Sequence, residues 1–432
     1  MQLYRALIIA AACFTAVVAA QEVQDTSSPS SKTITYKGHQ VITVQVRSKE
    51  ELNQLADFVK KNRIDAWTAL KLGQVDIRIP PELREAVKKT IKSPIQVKIP
   101  DLQQAITESN KEEEMHIQVV ADSQPPNLDF FRKYHTYEEL LAFVRKLHDD
   151  YPSNTEIIST GKSYEGRDLF GLRIKGKNPK KKFVFNGGIH AREWISPATT
   201  TYIMNALVGL YGKDQKITSL VDNYDIHIIP LLNPDGYAYT LRDRMWRKNR
   251  QPNRGSSCVG TDNNRNFNGP NWGGTGSSNN PCDEDYHGPS AFSAPESKGM
   301  ANLITAQKPD IYIDFHSYSQ EVYWPWGYTC DLDPPNTPSL SAAAKKFVDA
   351  VRTFGTSYTA GQSCRTSYPT TGDTVDWATA VPKVPYAYTI ELRDKGRYGF
   401  ILPPAQIIPS GNETLAGVLE MMQYVLTNPK KV

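Results

Sequence analysis

After residue 20 the sequence has no apolar stretch long enough to cross a bilayer, which excludes a membrane-spanning body. Neither sign of charge dominates. Lys and Arg number 50 against 46 Asp and Glu, a net charge of +4, so nothing electrostatic argues for a nucleic-acid or acidic-membrane partner. The cysteines never fall in a C-x-x-C spacing, which removes a cysteine-rich metal site. Internal repeats and low-complexity tracts are also missing. What remains is 432 residues, 39% hydrophobic and 22% charged, an ordinary globular balance with enough chain for two domains.

The first twenty residues are the exception to the missing apolar runs. Arg5 supplies a positive charge, Ala6 to Val18 is apolar, and Val18-Ala19-Ala20 offers the small residues of a cleavage site. We expect a signal peptide over residues 1–20 and a secreted, extracellular product. Cys13 leaves with it, and Cys258, Cys282, Cys330 and Cys364 remain. An even number in an oxidising compartment implies two disulfides. Three connectivities are open, of which nearest-neighbour pairing is the simplest. Asn412-Glu413-Thr414 is a candidate glycosylation acceptor.

Gln21 to Lys32 reads as a polar, flexible lead. Val41 to Val46, Val75 to Ile79 and Ile95 to Ile99 then alternate as strands around helical patterns at Glu50 to Asn62 and from Pro81 to about Ile91. This is a small open α/β sandwich without a catalytic cluster. A polar helix from Asp101 runs into Lys111-Glu112-Glu113-Glu114, and the domain boundary falls by Gln124-Pro125-Pro126-Asn127. Thr136 and Glu139 form a capping box for the first helix of a larger domain. Its strands and helices alternate to a closing helix at Glu413 to Leu426. The expected fold is α/β, with a mixed, mostly buried central sheet flanked by helices.

In the larger domain an apolar strand, Lys182 to Asn186, runs into Gly187-Gly188-Ile189-His190-Ala191-Arg192-Glu193-Trp194, and Ser196-Pro197 reads as an N-cap and first turn. His190 and Glu193 follow a strand's carboxyl end, where open α/β sheets place ligands. His316 closes the strand Asp310 to His316, and Glu391 lies near the end of Tyr386 to Leu392. Two imidazoles and a carboxylate would leave a zinc ion one open position, with a second carboxylate to take a proton from water. Arg242, Arg244, Arg247, Arg250 and Arg265 are either a solvated basic face or the source of a carboxylate clamp and an oxyanion partner.

His190-Ala191-Arg192-Glu193-Trp194, Asn233-Pro234-Asp235-Gly236-Tyr237, Arg244-Met245-Trp246-Arg247-Lys248, Asn264-Arg265-Asn266, His316-Ser317-Tyr318-Ser319 and Glu391-Leu392-Arg393-Asp394 occur in this order. From about Tyr134 to Val425 the chain closely resembles the zinc metallocarboxypeptidases of the pancreatic A/B type. The segment before it resembles their inhibitory pro-domain more weakly. The resemblance implies one Zn2+ per chain on His190, Glu193 and His316. Glu391 would be the general base that activates the zinc-bound water, and Arg247 would stabilise the oxyanion. Asn264, Arg265 and Tyr368 would grip the substrate's C-terminal carboxylate. Arg192 and Phe400 would line the cleft beyond the scissile bond, and Asp262 would orient a zinc histidine. It also implies the bridges Cys258–Cys282 and Cys330–Cys364.

By that resemblance the domains are a signal peptide at 1–20, an activation pro-segment at 21–122 (compact over about 35–110) and a catalytic domain at 123–432. The expected partners are peptides or proteins with a free C-terminus and an activating protease, with the enzyme a monomer. Val375, where basic-specific members carry an acid, points to aromatic or aliphatic C-terminal residues. Asp373, two positions earlier, would admit Lys or Arg if it faces the pocket and would do nothing as a solvent-facing turn residue. Two rival readings are a non-catalytic peptide-binding relative and a glycosidase using Glu193 and Glu391.

Overall fold

The computed structural model describes residues 33–109 and 124–428. The expected signal peptide, the polar lead and the helix continuation at Lys111 to Glu114 lie outside these residues.

Four antiparallel strands form the first sheet: β1 (Gln40–Val46), β2 (Asp65–Ala66), β3 (Gly73–Ile79) and β4 (Ile95–Ile99), in the order β2-β3-β1-β4. Period-two alternation decides what each face touches. Ile42, Val44, Val75 and Ile77 pack under helices Lys49–Asn62 and Arg84–Thr90 through Leu55, Phe58 and Val87. Val41 points the other way. With Tyr36, Trp67, Ile99 and Leu102 it packs on Met245, Tyr318, Phe400 and Ile401 of the larger domain.

The second sheet contains β5 (Thr155–Lys162), β6 (Asp168–Lys175), β7 (Lys181–Gly187), β8 (Tyr224–Ile229), β9 (Ile311–Ser317), β10 (Glu321–Trp324), β11 (Thr359–Gln362) and β12 (Tyr386–Leu392). Their order is β11-β10-β12-β9-β7-β8-β6-β5. The central four, β12, β9, β7 and β8, are mutually parallel, whereas β6 joins β8, and β10 joins β12, antiparallel. Every residue of β8 and β9 is buried, as a parallel strand covered on both faces requires. Helices Tyr137–Asp150, Ile195–Gly209, Gln215–Asn223, Thr337–Arg352 and Ile407–Thr427 cover one face, and Pro295–Gln307 with Thr374–Ala380 the other. The sheet is therefore mixed, mostly buried and flanked by helices, as expected.

Local signals held where a side chain caps its own helix. Thr136 accepts from the Glu139 N–H, and the Glu139 carboxylate accepts from the Thr136 N–H, closing the capping box. They failed where tertiary contacts recruit the polar group instead. Ser196 is no N-cap, because the helix starts at Ile195. Its hydroxyl accepts from the Gly188 N–H at 2.9 Å and donates to the Phe315 carbonyl at 2.6 Å, tying the turn after β7 to β9. Asn233 to Gly236 is no simple turn. Asn233 caps a short helix, Pro234–Tyr239, by accepting from the Gly236 N–H. The closing helix begins at Ile407, six residues before Glu413. Both nearest-neighbour disulfides are present, Cys258–Cys282 and Cys330–Cys364, each with Cα atoms 5.1 Å apart.

Of the buried acids outside the expected site, Glu296 has no basic partner among the described residues. Glu296 is fully buried at the start of Pro295–Gln307, where it accepts from Asn249 Nδ2 at 2.8 Å and the Tyr164 N–H at 3.2 Å. Burial pushes it up to about 7 from an ordinary value of 4.5. A raised acid favours the fold at low pH, and its contribution is lost as pH rises from about 4.5 through 7. In Glu296→Gln, the fall in thermal midpoint between pH 5 and pH 8 should flatten by the equivalent of about 3 kcal/mol. Parallel pH–stability curves for variant and parent would refute this.

Candidate active site

The strand-to-helix junction after β7 places the first two groups. Gly188 has φ +64°, a conformation that L side chains rarely adopt, and a Cβ on Gly187 would stand 2.3 Å from Thr200 Oγ1. Glycine at both positions lets the chain leave the strand and press against the following helix, turning His190 and Glu193 inward. His316 arrives on β9, and Glu391 lies directly beside it on β12 in the parallel register.

His190 Nδ1 stands 2.8 Å from Glu193 Oε1, and His316 Nδ1 stands 3.2 Å from both Glu193 Oε2 and His190 Nδ1. A tetrahedral ion with bonds of about 2.0–2.1 Å has ligand–ligand edges of about 3.3 Å. The triangle therefore fits one zinc ion with little adjustment, and all three residues are buried. Each imidazole has a carboxylate behind its far nitrogen. Asp262 Oδ1 lies 3.2 Å from His190 Nε2, and Asp314 Oδ2 lies 2.9 Å from His316 Nε2. Burial would raise Glu193, but His190 and His316 outweigh it and hold the carboxyl below its usual range.

Arg247 places Nη2 2.8 Å and Nε 3.1 Å from Asp262 Oδ2, and its Nη1 comes within 4.0 Å of Glu193. Of the other arginines of that segment, Arg242 is exposed, and Arg244 and Arg250 are scaffolding. Buried Arg244 stacks on Trp194 and donates to the Arg192 and Phe400 carbonyls. Arg250 lies between Tyr239 and Trp246. Nor does Glu391 pair with Arg393, whose partner is Glu413. Glu391 lines the same cavity as the triad. Burial, opposed by His316 and reinforced by Glu193 and Glu321, pushes it up to about 8 before a cation's charge is counted.

Arg265 is buried and donates only to neutral acceptors: the Gly276 carbonyl at 2.7 Å, the Asn264 carbonyl at 2.8 Å and the Tyr368 hydroxyl at 2.9 Å. No carboxylate among the described residues forms an ion pair with it. Asn264 Oδ1 accepts from the Thr374 N–H at 2.9 Å and hydroxyl at 2.8 Å, which leaves its NH2 group facing His316. Arg244 is equally unpaired but does not line the cavity, whereas Arg265 does, so an incoming anion can reach it.

Val375 lines this cavity together with Tyr323, Ser363, Thr370 and Asp373. Asp373 is not a solvent-facing turn residue. It is buried, caps Thr374–Ala380 through the Asp376 N–H at 2.8 Å, and accepts from the Thr370 hydroxyl at 3.0 Å. Burial raises Asp373, and burial plus its neighbour Asp373 raises Asp376 further. Asn412 lies on the closing helix, half-buried, its amide oxygen accepting from the Tyr202 hydroxyl at 2.6 Å.

Motif reading passed over Asp314, Thr374 and the N-terminal domain's contribution. Asp314 shares His316's strand face two residues earlier, a signal available from period two alone. The N-terminal domain roofs the cavity, of about 840 Å³, with the segment around Ile64 to Lys71. Arg192 Nη1 lies 2.9 and 3.0 Å from the two oxygens of Asp65, and its guanidinium sits over the Phe400 ring. Trp67 packs on Phe400 and Tyr318.

Two imidazoles and one carboxylate around an open coordination position place the chain among catalytic zinc proteins. It matches the family described as zinc carboxypeptidase over residues 140–417 and carboxypeptidase activation peptide over residues 42–109. The chain belongs to the zinc carboxypeptidase family, with an N-terminal activation peptide, and zinc is its cofactor. It is 38% identical to metallocarboxypeptidase A of Arthroderma otae over 404 residues, 90% of this chain and 94% of the relative. Mast cell carboxypeptidase A of Homo sapiens is 34% identical over 408 residues, covering 91% and 95%. Among solved structures, carboxypeptidase A from Helicoverpa armigera superposes with a TM-score of 0.81 at 27% identity, over 92% of this chain and 99% of that one.

The Asp65–Arg192 pair is the polar latch of the roof. Asp65→Ala leaves Arg192 buried without its anion, weakening the domain contact by about 3–5 kcal/mol. The uncut variant should hydrolyse a short peptide faster than the uncut parent. Equal rates would show that the apolar contacts alone hold the roof.

Proposed function

We propose that this is a secreted carboxypeptidase made as a zymogen, with a signal peptide at 1–20, an activation pro-segment at 21–122 and a catalytic domain at 123–432. The reading rests above all on Arg265, a buried cation without an anion beside the metal triad. An arginine clamp there, completed by Asn264 and Tyr368, fits a free α-carboxylate and so restricts cleavage to the last peptide bond. Among the described residues no helix is long and apolar enough to cross a membrane.

His190, Glu193 and His316 would hold zinc, which when bound would act as a Lewis acid and lower the pKa of water. The chain's own groups do the rest. Glu391 takes a proton from the attacking water and passes it to the departing amine. Arg247, oriented by Asp262, faces the oxygen on which negative charge builds. Arg192 and Phe400 hold the chain upstream of the scissile bond once the pro-segment has left. Glu391→Gln should bind zinc normally and lose about 10²–10⁴-fold in turnover of the activated enzyme. Near-normal turnover would remove Glu391 from the base role.

For the C-terminal side chain we propose an A-type preference, with aromatic or aliphatic groups packed along Val375. A second reading, broad specificity, is favoured by the burial of Asp373 against the cavity with only neutral donors. The two separate in kcat/KM for peptides ending in Phe, Leu, Lys and Arg. Under the broad reading, Lys and Arg peptides are cleaved, and Asp373→Asn slows them at least tenfold while sparing Phe. Failure of the parent enzyme to cleave Lys and Arg peptides restricts it to the A type.

A further inference from the structure

A buried polar chain runs behind His316 that the expected site residues do not include. Asp314 is completely buried, with Oδ2 2.9 Å from His316 Nε2. Its Oδ1 accepts from Asn186 Nδ2 on β7 at 2.7 Å, and Asn186 Oδ1 accepts from the Tyr312 hydroxyl at 2.7 Å. On its other side Asp314 Oδ2 lies 3.3 Å from Thr374 Oγ1, the hydroxyl that also holds Asn264.

His316 Nε2 has two polar neighbours, Asp314 Oδ2 at 2.9 Å and the Asn264 NH2 group at 3.4 Å, and the nearer one sets the tautomer. A carboxylate only accepts, so the imidazole nitrogen facing Asp314 carries the proton, and the lone pair falls on Nδ1. Nδ1 is the nitrogen aimed at Glu193 and His190. Asn186 gives Asp314 its amide hydrogen because its own oxygen is taken by Tyr312. The carboxylate therefore cannot swing away without burying an unpaired donor.

We propose that Asp314, pinned by Asn186 and Tyr312, is a positioning residue for the zinc ligand His316. It would do for His316 what Asp262 does for His190. The inference rests on His316 being a zinc ligand, and that premise fails separately if His316→Ala keeps full zinc affinity.

The test is zinc affinity of the full chain, by competition with a chromophoric chelator. Far-UV circular dichroism and thermal unfolding of the zinc-stripped protein serve as fold controls. In Asp314→Asn an NH2 group must face either His316 or Asn186. It should bind zinc about 10- to 100-fold more weakly and release it faster. Tyr312→Phe keeps the carboxylate but frees Asn186, and should weaken zinc several-fold. A purely structural role would lower the unfolding midpoint and leave zinc affinity at the parent level, and that result in folded Asp314→Asn overturns the proposal. Should Asp314→Asn not fold, Tyr312→Phe decides: weakened zinc supports the proposal, and unchanged zinc overturns it.

Discussion

Everything chemical in this protein depends on the parallel register of β7, β9 and β12. Gly187 pairs with Phe315, and Glu391 with His316, so the three strands end at one level of the sheet. A slip of one residue would turn each side chain to the opposite face and dissolve the site. Apolar packing on both faces forbids the slip: Phe185, Ile313 and Ile390 belong to one core, and Val184, Tyr312 and Ala387 to the other. The core thus sets the placement of groups that carry no apolar surface themselves.

On that frame the charges are arranged so that almost every one is answered. Asp262 meets His190 and Arg247, Asp314 meets His316, and Glu193 meets both imidazoles. Arg192 meets Asp65, a residue of the N-terminal domain. Arg265 keeps only neutral company. Desolvating a charge without a partner costs stability, and a fold tolerates it where a ligand is to supply the missing half. Among the described residues Arg244 is also unpaired but is stacked on Trp194 away from the cavity, so it is the cavity position of Arg265 that sets it apart.

Strand ends and motif order made it legible that His190, Glu193 and His316 converge and that Glu391 and Arg265 line the same cavity, because strand periodicity is local and strong. The central strands were equally plain. The outer strands β5, β10 and β11 were not, being short or half-exposed and polar, with pairing decided by distant neighbours. Ser196 misled for a related reason. Its residue type predicts a cap, but a backbone carbonyl on another strand claims its hydroxyl. Asp373 could be read either way until its burial was known, and Asp65 carries no signal at all without Arg192 beside it. What sequence hides here is tertiary partnership.

The pocket around Val375, Thr370 and Asp373 has a bearing on what a cell would find left over. Each cut shortens a polypeptide by one unit and exposes a fresh terminus of the same chemical kind, so every product is offered back to the enzyme. On the proposed assignment of this recess to the terminal side chain, trimming proceeds residue by residue until one arrives that it will not take. The shape of one small hollow therefore fixes where digestion stops, and so the sequence of the fragment that survives.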